Sequence, residues 1–489
     1  MEIQIKYKGH KMITWKEDNI TSAQIKFVWE NDNAYHIADL SEENKHLFGG
    51  EFCKIFSTIK DNSFVVYAGM GKSEKIDGRK FKNVVAKAAK TLVSYNVNKF
   101  SVDISELTKV FADKAYFEVV AGIELGLYKY QGIHQENVQD EYEVSIIDSN
   151  NTKENIAKNL EKSKSVVEGM ILTREWINTP GNYLTPELFA KSIEEKLSPV
   201  GVEVSIIEPT QLAEMGMGAL LAVGNSSDNK PRLIVMRYTG DSSSDKIYGY
   251  VGKGITVDTG GYSLKNAAGL MYTKGDMGGG AAVAGAIYAV AKNNLKVNVV
   301  AVIPAAENRL SNQSHIPGDV VKSMNGKTIE ILNTDAEGRL ILADAITYAV
   351  RNEKVTHLVD VATLTGAVVG ALGTVAAGCT TNDEEYLNEF YKAAKTAGER
   401  YWQLPLFEEY EEMLKSKVAD IKNTGGPNAG TIAAALFLRE FVEDKPWIHL
   451  DIAGTSQTEA PTNEYHCFGG TGFATPSLYF LAEDNQNIK

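Results

Sequence analysis

The chain reads as an α/β protein in two parts: a smaller N-terminal α/β domain and a larger one built on a mixed sheet flanked by helices. Three observations predict this. Strand-like apolar runs alternate with helical patterns along most of the chain. A polar stretch at 135–143 and the cluster Asp148-Ser149-Asn150-Asn151 interrupt that alternation near residue 150. The 489 residues are 44% hydrophobic, enough for two cores.

Before residue 150, strands at 63–68 and 100–104 alternate with helices at 81–95 and 106–127. Gly69-Met70-Gly71-Lys72 reads as a turn, with an anion cradle as the weaker alternative. Asn151-x-x-Glu154 caps a long helix whose stripe is Ile156, Leu160, Val167, Met170 and Ile177, stopped before Pro180. The expected organisation is therefore a domain over 1–150, a linker helix over 151–180 and a domain over 181–489. Thr185-Pro186 opens a further helix. Beyond it, strands at 233–237, 247–251, 297–303, 357–361 and 448–452 alternate with helical segments. That pattern predicts a mixed sheet with helices on both faces. Residues 361–381 carry no charge and are long enough to span a bilayer. Their Gly, Ala and Thr content favours a buried strand, a turn and a small-residue helix instead.

Net charge is −13 and the pI near 5.3. Nucleic-acid binding needs clustered cations to displace counterions, so this balance disfavours it. Cys53, Cys379 and Cys467 form no C-x-x-C and read as free thiols of a reducing compartment. The first residues, Met1-Glu2-Ile3-Gln4-Ile5-Lys6, lack a signal-type apolar core, which predicts a cytoplasmic protein. The eight histidines form no H-E-x-x-H. His449, in a strand-like run, reads as a hydrogen-bonded structural residue.

The chemistry concentrates in two clusters. Asn333-Thr334-Asp335-Ala336-Glu337-Gly338-Arg339-Leu340 places two carboxylates and a guanidinium at alternate positions. In an extended segment Asp335 and Glu337 project to one side. Two hard oxygen donors beside a fixed cation suit a divalent metal with an anionic ligand. Thr334-x-x-Glu337 is also a capping box for the helical pattern Leu340, Ile341, Asp344, Ala345, Tyr348. Upstream, Lys253 to Gly261 follows the strand at 247–251, and Lys265 and Asp276 come after it. Walker spacing fails here, since Gly254 follows Lys253. Lys253, Asp258, Lys265 and Asp276 all fall in glycine-rich turns beside expected strand ends, where α/β sheets place ligand chemistry.

On these residues the sequence resembles the leucyl aminopeptidase family, the cytosolic di-metal exopeptidases of peptidase family M17. It carries the family octapeptide N-T-D-A-E-G-R-L unchanged and matches K-G-x-x-x-D-[ST]-G-G at 253–261. The resemblance is close from about Glu168 onward and loose before it, where it implies a macro-like domain. It implies two divalent ions, manganese or zinc, with magnesium or cobalt also compatible. Asp258 and Glu337 would bridge them, Asp335 would complete one site, and a neutral Lys253 with Asp276 the other. Such ions activate a shared water, and one holds the free α-amine of a small peptide. Lys265 would stabilise the oxyanion, and Arg339 would hold a bicarbonate that relays protons. Asn333, Thr363, Leu364, Gly366 and Thr273 would line the cleft. Thr273 stands where the family has a methionine, so a preference for leucine does not carry over. The segment Gly472-Phe473-Ala474-Thr475-Pro476 also lacks an arginine common in the family. The family further implies a homohexamer. Two other functions are weighed against this one: an added DNA-binding or regulatory role, and a different two-metal hydrolase such as an amidase or phosphoesterase.

Overall fold

The structure, a computed structural model, describes residues 13–30, 47–133 and 141–486. The chain forms two compact units, Met1–Val167 with Glu459–Phe468, and Glu168–Thr458 with Gly469–Lys489.

The first unit contains strands β1 (Ile13–Lys16), β2 (Ala23–Trp29), β3 (Ile55–Lys60), β4 (Ser63–Gly71), β5 (Lys99–Asp103) and β6 (Tyr142–Ile147). They form one sheet in the order β1-β6-β5-β2-β4-β3, parallel except at the β3 edge. Helices α1 (Gly78–Ser94), α2 (Ser105–Phe111) and α3 (Lys114–Leu127) supply Phe81, Val85, Leu107, Val119 and Ile123 to its core. Three local expectations change. Residues 69–71 finish β4 rather than forming a turn, because Gly69 packs on the Gly50–Glu51 backbone, where a Cβ would meet the Glu51 carbonyl at 2.0 Å. The helical run at 106–127 breaks in two where Ala112 takes a φ of +49°. The long helix α4 (Lys153–Asn178) is capped by Thr152, whose hydroxyl accepts from the Asn155 N–H at 3.3 Å. Asn151 donates to Asp148 instead.

The second unit is organised around a nine-stranded mixed sheet. Its strands are β7 (Glu203–Ile207), β8 (Arg232–Thr239), β9 (Tyr248–Gly252), β10 (Gly254–Asp258), β11 (Asn298–Asn308), β14 (His357–Ala362), β15 (Ala377–Thr381), β16 (Tyr401–Gln403) and β18 (Trp447–Asp451). Their order is β16-β15-β18-β14-β9-β11-β8-β7, with β10 paired to β11 beyond β9. A small sheet joins β12 (Val320–Lys322), β13 (Thr328–Glu330) and β17 (Ile421–Lys422), and β19 (Gln457–Thr458) pairs with β20 (Gly469–Gly470).

Helices cover both faces, as strand alternation requires. Ile303 of β11 and Phe189 of helix α5 (Pro186–Leu197) meet helix α6 (Gly278–Lys292), where a Cβ on Gly280 would come within 2.9 Å of the isoleucine and 3.5 Å of the phenylalanine. Val300 and Val302, on the other face, join a core with Leu340, Ile341 and Ile346 of helix α7 (Gly338–Arg351). Residues 361–381 form the end of β14, helix α8 (Gly366–Leu372) and β15. Among the described residues, no helix is long and apolar enough to cross a membrane.

Candidate metal centre

Four mutually parallel strands end on one side of the second sheet: β9 at Gly252, β10 at Asp258, β11 at Asn308 and β14 at Ala362. Loops diverge from such an edge and leave room for a ligand. The segment 253–258 is not a turn, as its glycines suggest. Lys253 is a joint between two strand segments, and Gly254 returns the chain to β11 opposite Ala305.

Lys253 is pinned through its backbone. Its N–H donates to the Val361 carbonyl (3.0 Å), and its own carbonyl accepts from Gly280 (2.7 Å). Its side chain is buried, with Nζ 2.7 Å from Asp276 Oδ2 and 2.9 Å from Glu337 Oε1. Nζ also donates to the Thr363 carbonyl at 3.0 Å. Gly338 makes this approach feasible, since a Cβ there would stand 2.7 Å from Lys253 Cε and 2.8 Å from Nζ.

Asp258 ends β10, where its Oδ1 accepts from Gly260 N–H (3.0 Å) and Asn308 Nδ2 (2.9 Å). Its Oδ2 lies 2.7 Å from Lys265 Nζ, which also pairs with Asp335. Asp335 and Glu337 do not sit on extended chain. A turn at Asn333, whose Oδ1 accepts from Asp335 N–H at 2.9 Å, brings their carboxylates together. The capping box is absent as well. The Thr334 hydroxyl donates to the Gly260 carbonyl (2.6 Å) and accepts from Ser263 N–H (2.7 Å), so it ties the two motifs together. Asn423 clamps the octapeptide from the other side, donating to the Asn333 carbonyl at 2.7 Å and accepting from Leu332 N–H at 2.9 Å.

The electrostatics are those of a crowded acidic cage. Burial opposes charge on Lys253, but Asp276, Glu337 and Asp258 outweigh it and hold the amine above the ordinary lysine range. Lys265 is raised in the same way, burial being overcome by Asp258 and Asp335. Burial and the Asp258 charge push Glu337 up to about 8, against the pull of Lys253. Burial raises Asp276 to about 6, again opposed by Lys253. A multivalent cation relieves such repulsion. Asp258, Asp335 and Glu337 each offer an oxygen within 4.8 Å of the others. Glu337 Oε2 is buried with no hydrogen-bond partner among the described residues. Carboxylates at this spacing and an acceptor left unsatisfied fit divalent metal ions.

Around the cage lies a cavity of about 580 Å³ lined by Lys253, Asp258, Lys265, Asp276, Asn333, Asp335, Glu337, Arg339, Thr363, Leu364 and Gly366. Thr273 is the exception among the expected site residues. It does not line this space; its carbonyl is turned to Asp258 N–H at 3.0 Å, and the neighbouring Tyr272 reaches the cavity instead. Arg339 is 7% exposed, and its Nε has no partner among the described residues. Burial lowers its pKa to about 10, against the opposing charges of Glu337 and Asp451.

Sequence reasoning missed Asp451, Asn308, Thr334 and Asn423 as organisers of the site. Asp451 Oδ1 accepts from the N–H groups of Leu364 (3.1 Å) and Thr365 (3.4 Å), and Oδ2 from the Thr365 hydroxyl (2.6 Å). This fixes the loop whose Thr363 hydroxyl donates to Asp276 Oδ1 at 2.7 Å. Only the end-of-strand positions of Asn308 and Asp451 could have signalled them. His449 is buried with Nδ1 2.7 Å from Asp360 Oδ1.

Comparison with known proteins shows the family of the chain. The model of the cytosol aminopeptidase family, catalytic domain, matches residues 171–479, and that of the family's N-terminal domain matches 49–137. A chain named "Probable cytosol aminopeptidase" from Clostridium perfringens (strain 13 / Type A) is 41% identical over 460 residues, 93% of each chain. Its namesake from Clostridium tetani (strain Massachusetts / E88) is 38% identical over 480 residues, 95% of this chain and 98% of that one. Among solved structures, the bottromycin maturation enzyme BotP in complex with Mn is similar at a TM-score of 0.87 and 30% identity, covering 95% of this chain and 99% of that one. The chain belongs to the cytosol aminopeptidase family and is a metal-dependent hydrolase of aminopeptidase type.

Proposed function

We propose that the protein hydrolyses the N-terminal peptide bond of small peptides at a pair of divalent ions held by Lys253, Asp258, Asp276, Asp335 and Glu337. The convergence of these five groups, distant in sequence, around one buried carboxylate carries the reading. Bound there, such ions supply Lewis acidity and lower the pKa of water toward neutrality.

The chain's own residues set the rest. Asp258 and Glu337, whose carboxylates approach each other and Asp335, would be shared between the two ions. Lys253 would hold an ion only as a neutral amine, because an ammonium has no lone pair. Lys265, one of the cations lining the cavity, acts as the electrophile facing the scissile carbonyl. Arg339 holds a bicarbonate-sized anion and moves a proton with it. Asn333, Thr363, Leu364 and Gly366 orient the peptide. Carboxylate-rich ligands and the manganese complex of BotP favour manganese, with zinc as the second choice. We place catalysis in 181–489, with 1–150 and the helix over 151–180 as accessory parts of a cytoplasmic homohexamer.

The test is hydrolysis of a panel of aminoacyl amides and their N-acetylated counterparts, after chelation and with manganese or zinc restored. Unblocked substrates should be cleaved only with metal, and acetylated ones not at all. Full activity of Glu337→Ala would overturn the reading.

A further inference from the structure

The cavity wall beside Asp276 is polar where a pocket for an aliphatic side chain would be greasy. Gln457, on β19, lines the cavity and lays its amide on Gly275, the residue before Asp276. A Cβ on Gly275 would meet Gln457 Oε1 at 2.7 Å, and Gly275 has a φ of +92° that favours glycine. Thr363 reaches Asp276 from the same side through its hydroxyl. Ser456, next to Gln457, is 1% exposed, and its hydroxyl has no hydrogen-bond partner among the described residues. It adjoins Thr363, both side chains lying within 3.5 Å of a Cβ placed on Gly278. One wall thus carries an amide open to the cavity and, behind it, a buried hydroxyl with unused capacity.

A substrate whose α-amine is held at the cage carries its first side chain on the adjoining carbon, so that side chain must lie against the cage's own walls. Burying a hydrocarbon against the Gln457 amide strips it of water and costs free energy, while a side chain that can donate and accept satisfies it. We propose that Gln457 is a specificity-determining residue, and that the enzyme prefers N-terminal residues with neutral hydrogen-bonding side chains, such as Asn, Gln, Ser and Thr, over aliphatic residues of equal size. This rests on the aminopeptidase reading above and names the substrate class of the same site.

Matched pairs separate polarity from size: asparaginyl against leucyl amides, and threonyl against valyl amides, on the manganese-loaded enzyme. The wild-type kcat/KM should favour the polar member of each pair by about tenfold or more, since a site that hydrogen-bonds a substrate group rejects the analogue lacking it. Gln457→Met should shift each ratio toward the aliphatic member by about tenfold or more. Calorimetric titration with asparagine hydroxamate and leucine hydroxamate should show the same order and the same reversal without turnover. A wild-type enzyme that favours leucyl and valyl substrates, or ratios unmoved in Gln457→Met, overturns the proposal and leaves the aminopeptidase reading intact. Should the variant fold poorly, the wild-type pairs alone decide. Absence of cleavage of any unblocked substrate overturns both.

Discussion

Gly338 is as necessary to the cage as the charged residues beside it. Lys253 passes over its Cα, and the lysine cannot swing aside because Asp276, Glu337 and the Thr363 carbonyl hold its tip. Gly338→Ala should therefore lower metal affinity by about 10–100-fold, the usual cost of disturbing a ligand's support, and should also destabilise the metal-free protein by about 1–3 kcal/mol through overpacking. Competition with a fluorescent chelator checks this. Asn308 is the second support. It orients Asp258 and ties it to the Thr334 carbonyl at 3.0 Å. Asn308→Ala should cost a similar factor in manganese affinity, whereas a substitution at Thr273, outside the cavity, should cost little in kcat. The octapeptide and the Lys253–Asp258 spacing were legible in the chain itself. The supports were not, because an asparagine at a strand end looks like any loop residue until its partners arrive from elsewhere.

At the scale of elements, the site depends on how closely α6 approaches the sheet. Gly279 sits where a Cβ would lie 1.9 Å from the Val361 carbonyl, and Gly252 packs against the Gly279 carbonyl in return. That contact sets the height of Lys253, whose backbone bonds to both Val361 and Gly280. Gly279→Ala should destabilise the second unit by about 1–3 kcal/mol or more through overpacking. Activity should fall further than the unfolded fraction explains, which paired denaturation and kinetic measurements would show. Close packing of the three opening glycines of this small-residue helix is readable from composition; which backbone they meet is not. Similarly, the break at Ala112 and the cap at Thr152 follow from packing and from which hydroxyl reaches the first turn, both beyond a periodicity argument.

For the whole molecule, metal and pH act as two separate levers on stability. Ions that bind only the folded chain add free energy by mass action, about 2.7 kcal/mol at a concentration one hundred times Kd. The melting temperature should rise with manganese and fall with chelator. The pH lever includes a group outside the cage. Burial pushes the Asp344 carboxyl up to about 7 from 3.8, although the N–H groups of Leu220 and Met324 donate to it and pull the other way. The folded state then binds more protons than the unfolded state between those values. Stability contributed by this residue therefore falls as pH rises through that window and is level above it. Urea midpoints at about pH 5 and pH 7, both in chelator, should differ less in Asp344→Asn than in the wild type.

The α/β class, the long helix ending before Pro180, the mixed central sheet and the residues of the two metal motifs could all be read from the chain. Each is written in local periodicity or short spacing; the class, the helix and the sheet keep their expected form, while the motifs change theirs, since 254–258 folds as a strand and Asp335 and Glu337 follow a turn. Tertiary structure decided what no local pattern encodes. It returned Glu459–Phe468 to the first unit, left Thr273 off the cavity lining, and used Thr334 as a tie instead of a cap. It also put Gln457 beside Gly275, about 180 positions away in sequence. The physical reason is common to these cases: a side chain's task depends on which strand end stands opposite it, and sheet order is settled by contacts between distant segments.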